Sequence, residues 1–164
     1  MTKKIMSWLI QSPVTGQGSI LIVRLMTGGI FLWEGILKFV YVNQGVGRFA
    51  KLGFPLPETT AHFVAIGEII GGLLLIFGFM TRIVALYFVI QMIVAVLSTK
   101  IDLYLGTSPL PMPPAPPKTG IWAVLHEIRA DYAQILCCIF LVLEGAGRIS
   151  MDFVKTTSKK VFSL

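Results

Sequence analysis

From Ser19 to Val40 the chain is apolar except for a few small polar residues and three positions that carry full charges, Arg24, Glu34 and Lys38. The run is about as long as a helix needs to cross the hydrocarbon core of a bilayer, roughly 30 Å. On insertion scales an Arg, Lys or Asp near the centre of such a helix costs roughly 2.5–3.5 kcal/mol, and Glu34 belongs with them. Three charges in one span are tolerated only where they face protein, water or each other. The segment is therefore expected to be an inward-facing membrane helix in a polytopic bundle with a polar interior.

Composition places the rest of the chain in the same class. Hydrophobic residues make up 55% of the sequence and charged residues only 13%, against about 25% charged in soluble domains. Mean hydropathy is +0.80, and 164 residues leave room for about four spans with their connections. The formal charge is +6, but the basic residues sit at segment ends rather than in one stripe with aromatics between them. That pattern argues against nucleic-acid binding and for topology signals. Cys137 and Cys138 are adjacent within an apolar run, which does not suit a disulfide framework. Residues 1–18 carry Lys3 and Lys4, but Ile5–Ile10 is too short for the apolar core of a signal peptide. They are expected to form a cytoplasmic or interfacial leader.

The expected architecture is all-α, an integral membrane four-helix bundle with both termini cytoplasmic. Its spans are about 19–40, 59–80, 83–99 and 121–143, the last beginning somewhere between Ile121 and Ala130. A proline-rich outer loop covers 107–118 and a basic cytoplasmic tail 153–164. Gly53-Phe-Pro55-Leu-Pro57 ends the first connection, since proline cannot continue a helix and restricts the residue before it. The connection at Thr81-Arg82 is so short that spans two and three must be antiparallel neighbours. Orientation follows from the basic residues. Lys3, Lys4, Arg82, Arg148, Lys155, Lys159 and Lys160 fall on the inner side, with Arg48, Lys51, Lys100, Lys118 and Arg129 on the outer.

At 100° per residue Arg24, Glu34 and Lys38 share one face of the first span, with Glu34 and Lys38 in the favourable i,i+4 order. On the second span Glu68 shares a stripe with Ala61, Ala65, Gly71 and Gly72, and Gly67-x-x-x-Gly71 allows close approach of another helix. In an antiparallel arrangement Glu34 and Glu68 come to nearly the same depth. Two carboxylates at one level of a low-dielectric interior do not both stay ionised unless a cation such as Lys38 or Arg24 is close. Asp131, Gln134 and Cys138 share a face of the fourth span. The candidate polar core is thus Arg24, Glu34, Lys38, Glu68 and Asp131. It could serve as a proton relay or a head-group site, or as an ion-pair network that fixes helix register.

Several strings together resemble the DoxX family of small four-helix membrane proteins. They are Arg24-x-x-x-Gly28 and Glu34-Gly35-x-x-Lys38, Gly53-x-Pro55, Glu68-x-x-Gly71-Gly72, Gly78-Phe-Met-Thr81-Arg82, and Gly145-Ala-Gly147-Arg148-Ile-Ser150-Met-Asp152. No single string is specific; their order and spacing carry the likeness, from about Ile20 to Asp152. The proline-rich outer loop is a departure. The resemblance implies a four-helix bundle in the cytoplasmic (inner) membrane, associated with redox systems. The family name derives from a subunit linked to quinone reduction, associated with thiosulfate:quinone oxidoreductase, and related members are associated with maturation of periplasmic redox proteins. The family supplies no agreed catalytic residue.

Other chemistry-bearing residues take ordinary readings. His62 and His126 as paired haem ligands lack any supporting feature, and interfacial or hydrogen-bonded histidines suffice. Buried vicinal thiols in apolar surroundings pack rather than react. Gly145-x-Gly147 follows a membrane helix, not a strand, and reads as a helix stop. Trp8 and Trp122 suit an interfacial belt. No metal site and no cofactor ligand set of the chain's own are expected; a quinone and a membrane redox or periplasmic partner are what the resemblance implies. Whether the chain is itself an enzyme stays open. A membrane assembly or scaffold protein and a small-molecule carrier are the alternatives.

Overall fold

The computed structural model describes residues 6, 8 and 17–161. Among these, every regular element is helical: α1 (Ile20–Val40), α2 (Val46–Lys51), α3 (Pro57–Phe77), α4 (Thr81–Thr99), a 3-10 turn (Ile101–Leu103), α5 (Gly120–Glu127), α6 (Arg129–Glu144) and α7 (Met151–Val161). The leader expected over 1–18 lies almost entirely outside the described residues. Three helices are long and apolar enough to cross a bilayer: α1, α3, and α4 continued through the 3-10 turn. The fourth apolar stretch is two consecutive helices, α5 and α6. It is divided at Ile128, where ψ of −2° departs from helical geometry, and α6 alone, with its 16 residues, reaches about 24 Å. The stretch expected as a basic tail is helical as far as Val161, within α7.

Local signals explain the boundaries. α3 starts with Pro57 at its first turn, where the missing N–H leaves nothing unpaired. It stops at Gly78, whose φ is +69°. There Gly78 N–H donates to Leu75 O at 3.1 Å and Phe79 N–H to Leu74 O at 2.9 Å, the paired bonds of a Schellman stop. A Cβ at Gly78 would also collide with Arg24 and Ser150, so both conformation and space demand glycine there.

Close backbone packing sets the α1–α3 pair. These helices run antiparallel, with Gly28 on Gly72 and Gly35 on Ala65. A Cβ on Gly35 would lie 2.7 Å from Ala65 O and 3.0 Å from Cβ of Glu68. In contrast, Gly67 and Gly71, read as a close-approach motif, accommodate the rings of Tyr87 and Phe88 from α4. α4 in turn packs on α6, also antiparallel, from Arg82 beside Leu143 to Lys100 beside Glu127 of α5. One end of the assembly, called proximal below, therefore gathers the start of α1, the α3–α4 turn, the end of α6 and the start of α7. The distal end gathers Lys38, α2, the start of α3 and Lys100.

The middle is apolar. Phe31 and Phe88 stack with centroids 3.6 Å apart and planes 3° from parallel, and Leu75, Cys138 and Leu141 close around them. This layer separates two polar regions.

Candidate functional site

The distal region is a cavity of about 570 Å³, inside the range of small-molecule sites. Its floor is Phe31, its roof includes Phe49 and Phe54 beyond α1, and its walls come from α1, α3, α4 and α6. Most of the lining is apolar. Into it project Glu34, Lys38, Glu68, Gln91, Asp131 and Gln134.

At its centre the Lys38 ammonium donates to Glu68 Oε2 at 2.6 Å, and the Gln91 amide donates to Glu68 Oε1 at 2.6 Å. Glu68 is buried, and the Lys38–Glu68 contact joins side chains that are both nearly sequestered from solvent. Charge-assisted bonds this short are the strong kind, and Coulomb attraction grows as the effective dielectric falls. Lys38 reaches Glu68 because Gly35, one turn below it, lets α3 lie against α1. The i,i+4 partner expected from the sequence is not the one chosen. Lys38 Nζ approaches only the backbone oxygen of Glu34, at 3.4 Å, and the Glu34 carboxylate faces the cavity with no hydrogen-bond partner among the described residues.

Of the five candidates, Glu34, Lys38, Glu68 and Asp131 line this one cavity. Arg24 does not. It lies 10 residues, or about 15 Å, along α1 from Glu34, beyond the Phe31–Phe88 layer. There, only 1% exposed, it donates to Ala146 O at 2.6 Å and to Ile76 O at 3.2 Å. These are carbonyls after α6 and in the last turn of α3, groups that a helix end leaves without an internal partner. Arg82 acts likewise, donating to Leu143 O at 2.9 Å and to Trp8 O at 2.8 Å, with its guanidinium carbon 4.1 Å from the centroid of the Trp8 ring. Asp152 closes the proximal region. Its carboxylate accepts from Met80 N–H at 3.0 Å and Thr81 N–H at 3.2 Å, serving as a cap for α4 supplied from 71 residues away. Arg24 thus joins helix ends, and its separation from Glu68 follows from depth.

Gln91 was not singled out from the sequence. The signal was present: it is the one amide in α4, and an amide in a bilayer-length helix seeks a polar partner. Tyr87 also lines the cavity, as do Arg48 and Lys100, which the sequence marks only as basic residues of the outer side. His62 stacks on the ring of Phe39, while His126 is exposed on α5. Cys137 and Cys138 are both free thiols.

A family model described as DoxX matches residues 19–101, the stretch that contributes Glu34, Lys38, Glu68 and Gln91. An uncharacterized membrane protein of Mycobacterium tuberculosis is 34% identical over 152 residues, covering 89% of this chain and 86% of that one. The chain belongs to the DoxX family. A second relative, named "Putative oxidoreductase CatD" in Bacillus subtilis, is 30% identical over 132 residues, covering 80% of this chain and 83% of its own length. No solved structure matches. This DoxX protein is a membrane protein, and the exposed apolar side chains of α1, α3 and α4 contact the lipid bilayer.

Proposed function

We propose that this DoxX protein crosses the cytoplasmic (inner) membrane four times with both termini inside, and serves as a subunit of, or accessory to, a quinone-linked redox system. The observation that carries the reading is the Lys38–Glu68–Gln91 group, a hydrogen-bonded ion pair on the wall of a cavity of small-molecule size that also holds Glu34 and Asp131. Intramembrane ionisable residues facing a cavity are the usual parts of a proton path. The name of the Bacillus subtilis relative points to redox chemistry.

Reduction of a quinone to a quinol takes up two electrons and two protons. The electrons come from a redox partner protein, because the chain supplies no electron carrier for which its residues argue. The protons pass through Glu68 and Glu34, which face the same space. Lys38 holds the charge of Glu68 while it is ionised, and Gln91 fixes the orientation of the carboxylate. In the proposed orientation the distal cavity lies toward the outer leaflet and the proximal arginines toward the cytoplasm.

Protein extracted from the membrane tests this. Bound quinone whose absorbance changes on reduction, with proton-coupled turnover lost in Glu68→Gln, supports the reading. Quinone-free protein that copurifies with a stoichiometric partner, and whose partner affinity alone changes in Glu68→Gln, would replace it with an assembly role. Solute uptake into liposomes would replace it with a carrier.

A further inference from the structure

The cavity has an opening and an unpartnered amide that the proton path does not use. α3 and α4 touch where Gly67 meets Tyr87 and Gly71 meets Phe88. Toward the distal end they part, and the cavity lies in the wedge. Phe63 and Val64 of α3 and Ile90 and Val94 of α4 line it. Three of these are also largely on the outer surface: Phe63 is 69% exposed, Ile90 58% and Val94 48%. A side chain that both walls a cavity and lies on the outside marks its mouth. Since α3 and α4 are bilayer-length apolar helices, this mouth faces acyl chains.

Across the cavity, on α6, stands Gln134. It is 5% exposed, it lines the cavity, and neither Nε2 nor Oε1 has a hydrogen-bond partner. Buried amides are almost always bonded, so the partner of this one is expected to arrive with a ligand. The gap admits an uncharged head more readily than a charged one, because its four walls are apolar and carry no counter-ion. Inside, three carboxylates, Glu34, Glu68 and Asp131, are balanced by three cations, Lys38, Arg48 and Lys100, two of which are already paired, so the lining offers a charged head no net attraction to offset the cost of crossing the gap.

We infer that the cavity is loaded sideways from the lipid phase, between α3 and α4, by an uncharged amphiphile whose polar head is hydrogen-bonded by Gln134. That the head is a quinone rests on the function proposed above; the route and the Gln134 contact do not.

The test uses the full chain in phosphatidylcholine vesicles with two probes, decylubiquinone and the redox-silent N-dodecylbenzamide. Loading is followed with either probe by the fluorescence of a tryptophan placed in the cavity wall, Tyr87→Trp, with Trp8, Trp33 and Trp122 replaced by Phe because none of them lines the cavity, and affinity by the rise in melting temperature with either probe. Val94→Phe, which fills the gap, should slow loading about fivefold or more, since a narrowed entrance acts on the association rate. Gln44→Phe, at the aqueous distal rim of the cavity, and Ile22→Phe, on the outer face of α1, should leave it unchanged. Gln134→Leu should weaken both probes by about tenfold, the loss of one buried hydrogen bond, without lowering the melting temperature of unliganded protein. Loading slowed by Gln44→Phe and not by Val94→Phe would overturn the lateral route. Undiminished affinity in Gln134→Leu would overturn the head-group contact. If both probes load through the gap and bind Gln134, yet decylubiquinone is never reduced with a donor, the redox reading fails while this inference stands.

Discussion

Gly28 of α1 and Gly72 of α3 face each other so closely that a Cβ on either would lie 2.7 Å from the carbonyl oxygen of the other. This contact, repeated at Gly35 and Ala65, holds the two helices at a separation where Lys38 and Glu68 can bond directly. The ion pair is a consequence of the absent side chains. Gly28→Ala or Gly72→Ala forces the helices apart, and such overpacking costs roughly 1–3 kcal/mol. Both variants should melt earlier than the parent. Gly35→Ala should in addition weaken ligand binding in the cavity, because its Cβ would press on Glu68.

Removing Lys38 alone leaves the Glu68 carboxylate buried beside Gln91. Lys38→Met should therefore destabilise by about 3–5 kcal/mol, the penalty for an uncompensated buried charge. Lys38→Met combined with Glu68→Gln should recover most of that loss, since the pair is then replaced by neutral groups. Denaturation of the four members of this double-mutant cycle measures the coupling. Additive effects would contradict the geometry.

At the proximal end the expectation is different. Arg24→Met strands the carbonyls of Ala146 and Ile76 and should cost about 1–3 kcal/mol for unsatisfied buried groups. Arg24→Lys should recover little, because one ammonium lacks the fork that reaches two carbonyls. Affinity for a ligand in the distal cavity should change no more than twofold, roughly the scatter expected between non-interacting sites. A binding defect out of proportion to the stability loss would show that the Phe31–Phe88 layer does not separate the two regions.

Asp152→Ala should destabilise by about 1 kcal/mol, the usual worth of an N-cap, whereas Asp152→Asn should lose less because its amide oxygen still accepts from Met80 or Thr81. Thermal unfolding compares the two. At least that loss should appear when the chain is cut before Met151, which removes the cap together with the Asp152 N–H bond to Gly78 O and the Lys155 ammonium over the Phe79 ring.

Phe88→Ala removes the ring that stacks on Phe31 and should cost about 3–5 kcal/mol. It also opens the floor of the cavity. Melting temperature reports the first effect and altered selectivity for larger head groups the second.

The membrane character of the chain was legible in its residues because a bilayer selects on length and polarity, which are local quantities: Ser19–Val40 needs no partner to be apolar and long enough. So was the polar character of α1, α3 and α6, since Glu34, Glu68 and Asp131 are costly wherever they stand in such helices. Helix phase even grouped Arg24 with Glu34 and Lys38. Phase cannot, however, say which neighbour lies alongside, or how far down. That was decided by glycine contacts between residues 44 positions apart, Gly28 and Gly72, and by an aromatic layer built from α1 and α4. They send Lys38 to Glu68 rather than to Glu34, Arg24 to the ends of α3 and α6, and Gln91 and Gln134 into one cavity. The sequence by itself determined which groups must leave the lipid; only the tertiary structure decided where each one goes, because packing distance and depth depend on two helices at once and neither helix encodes them alone.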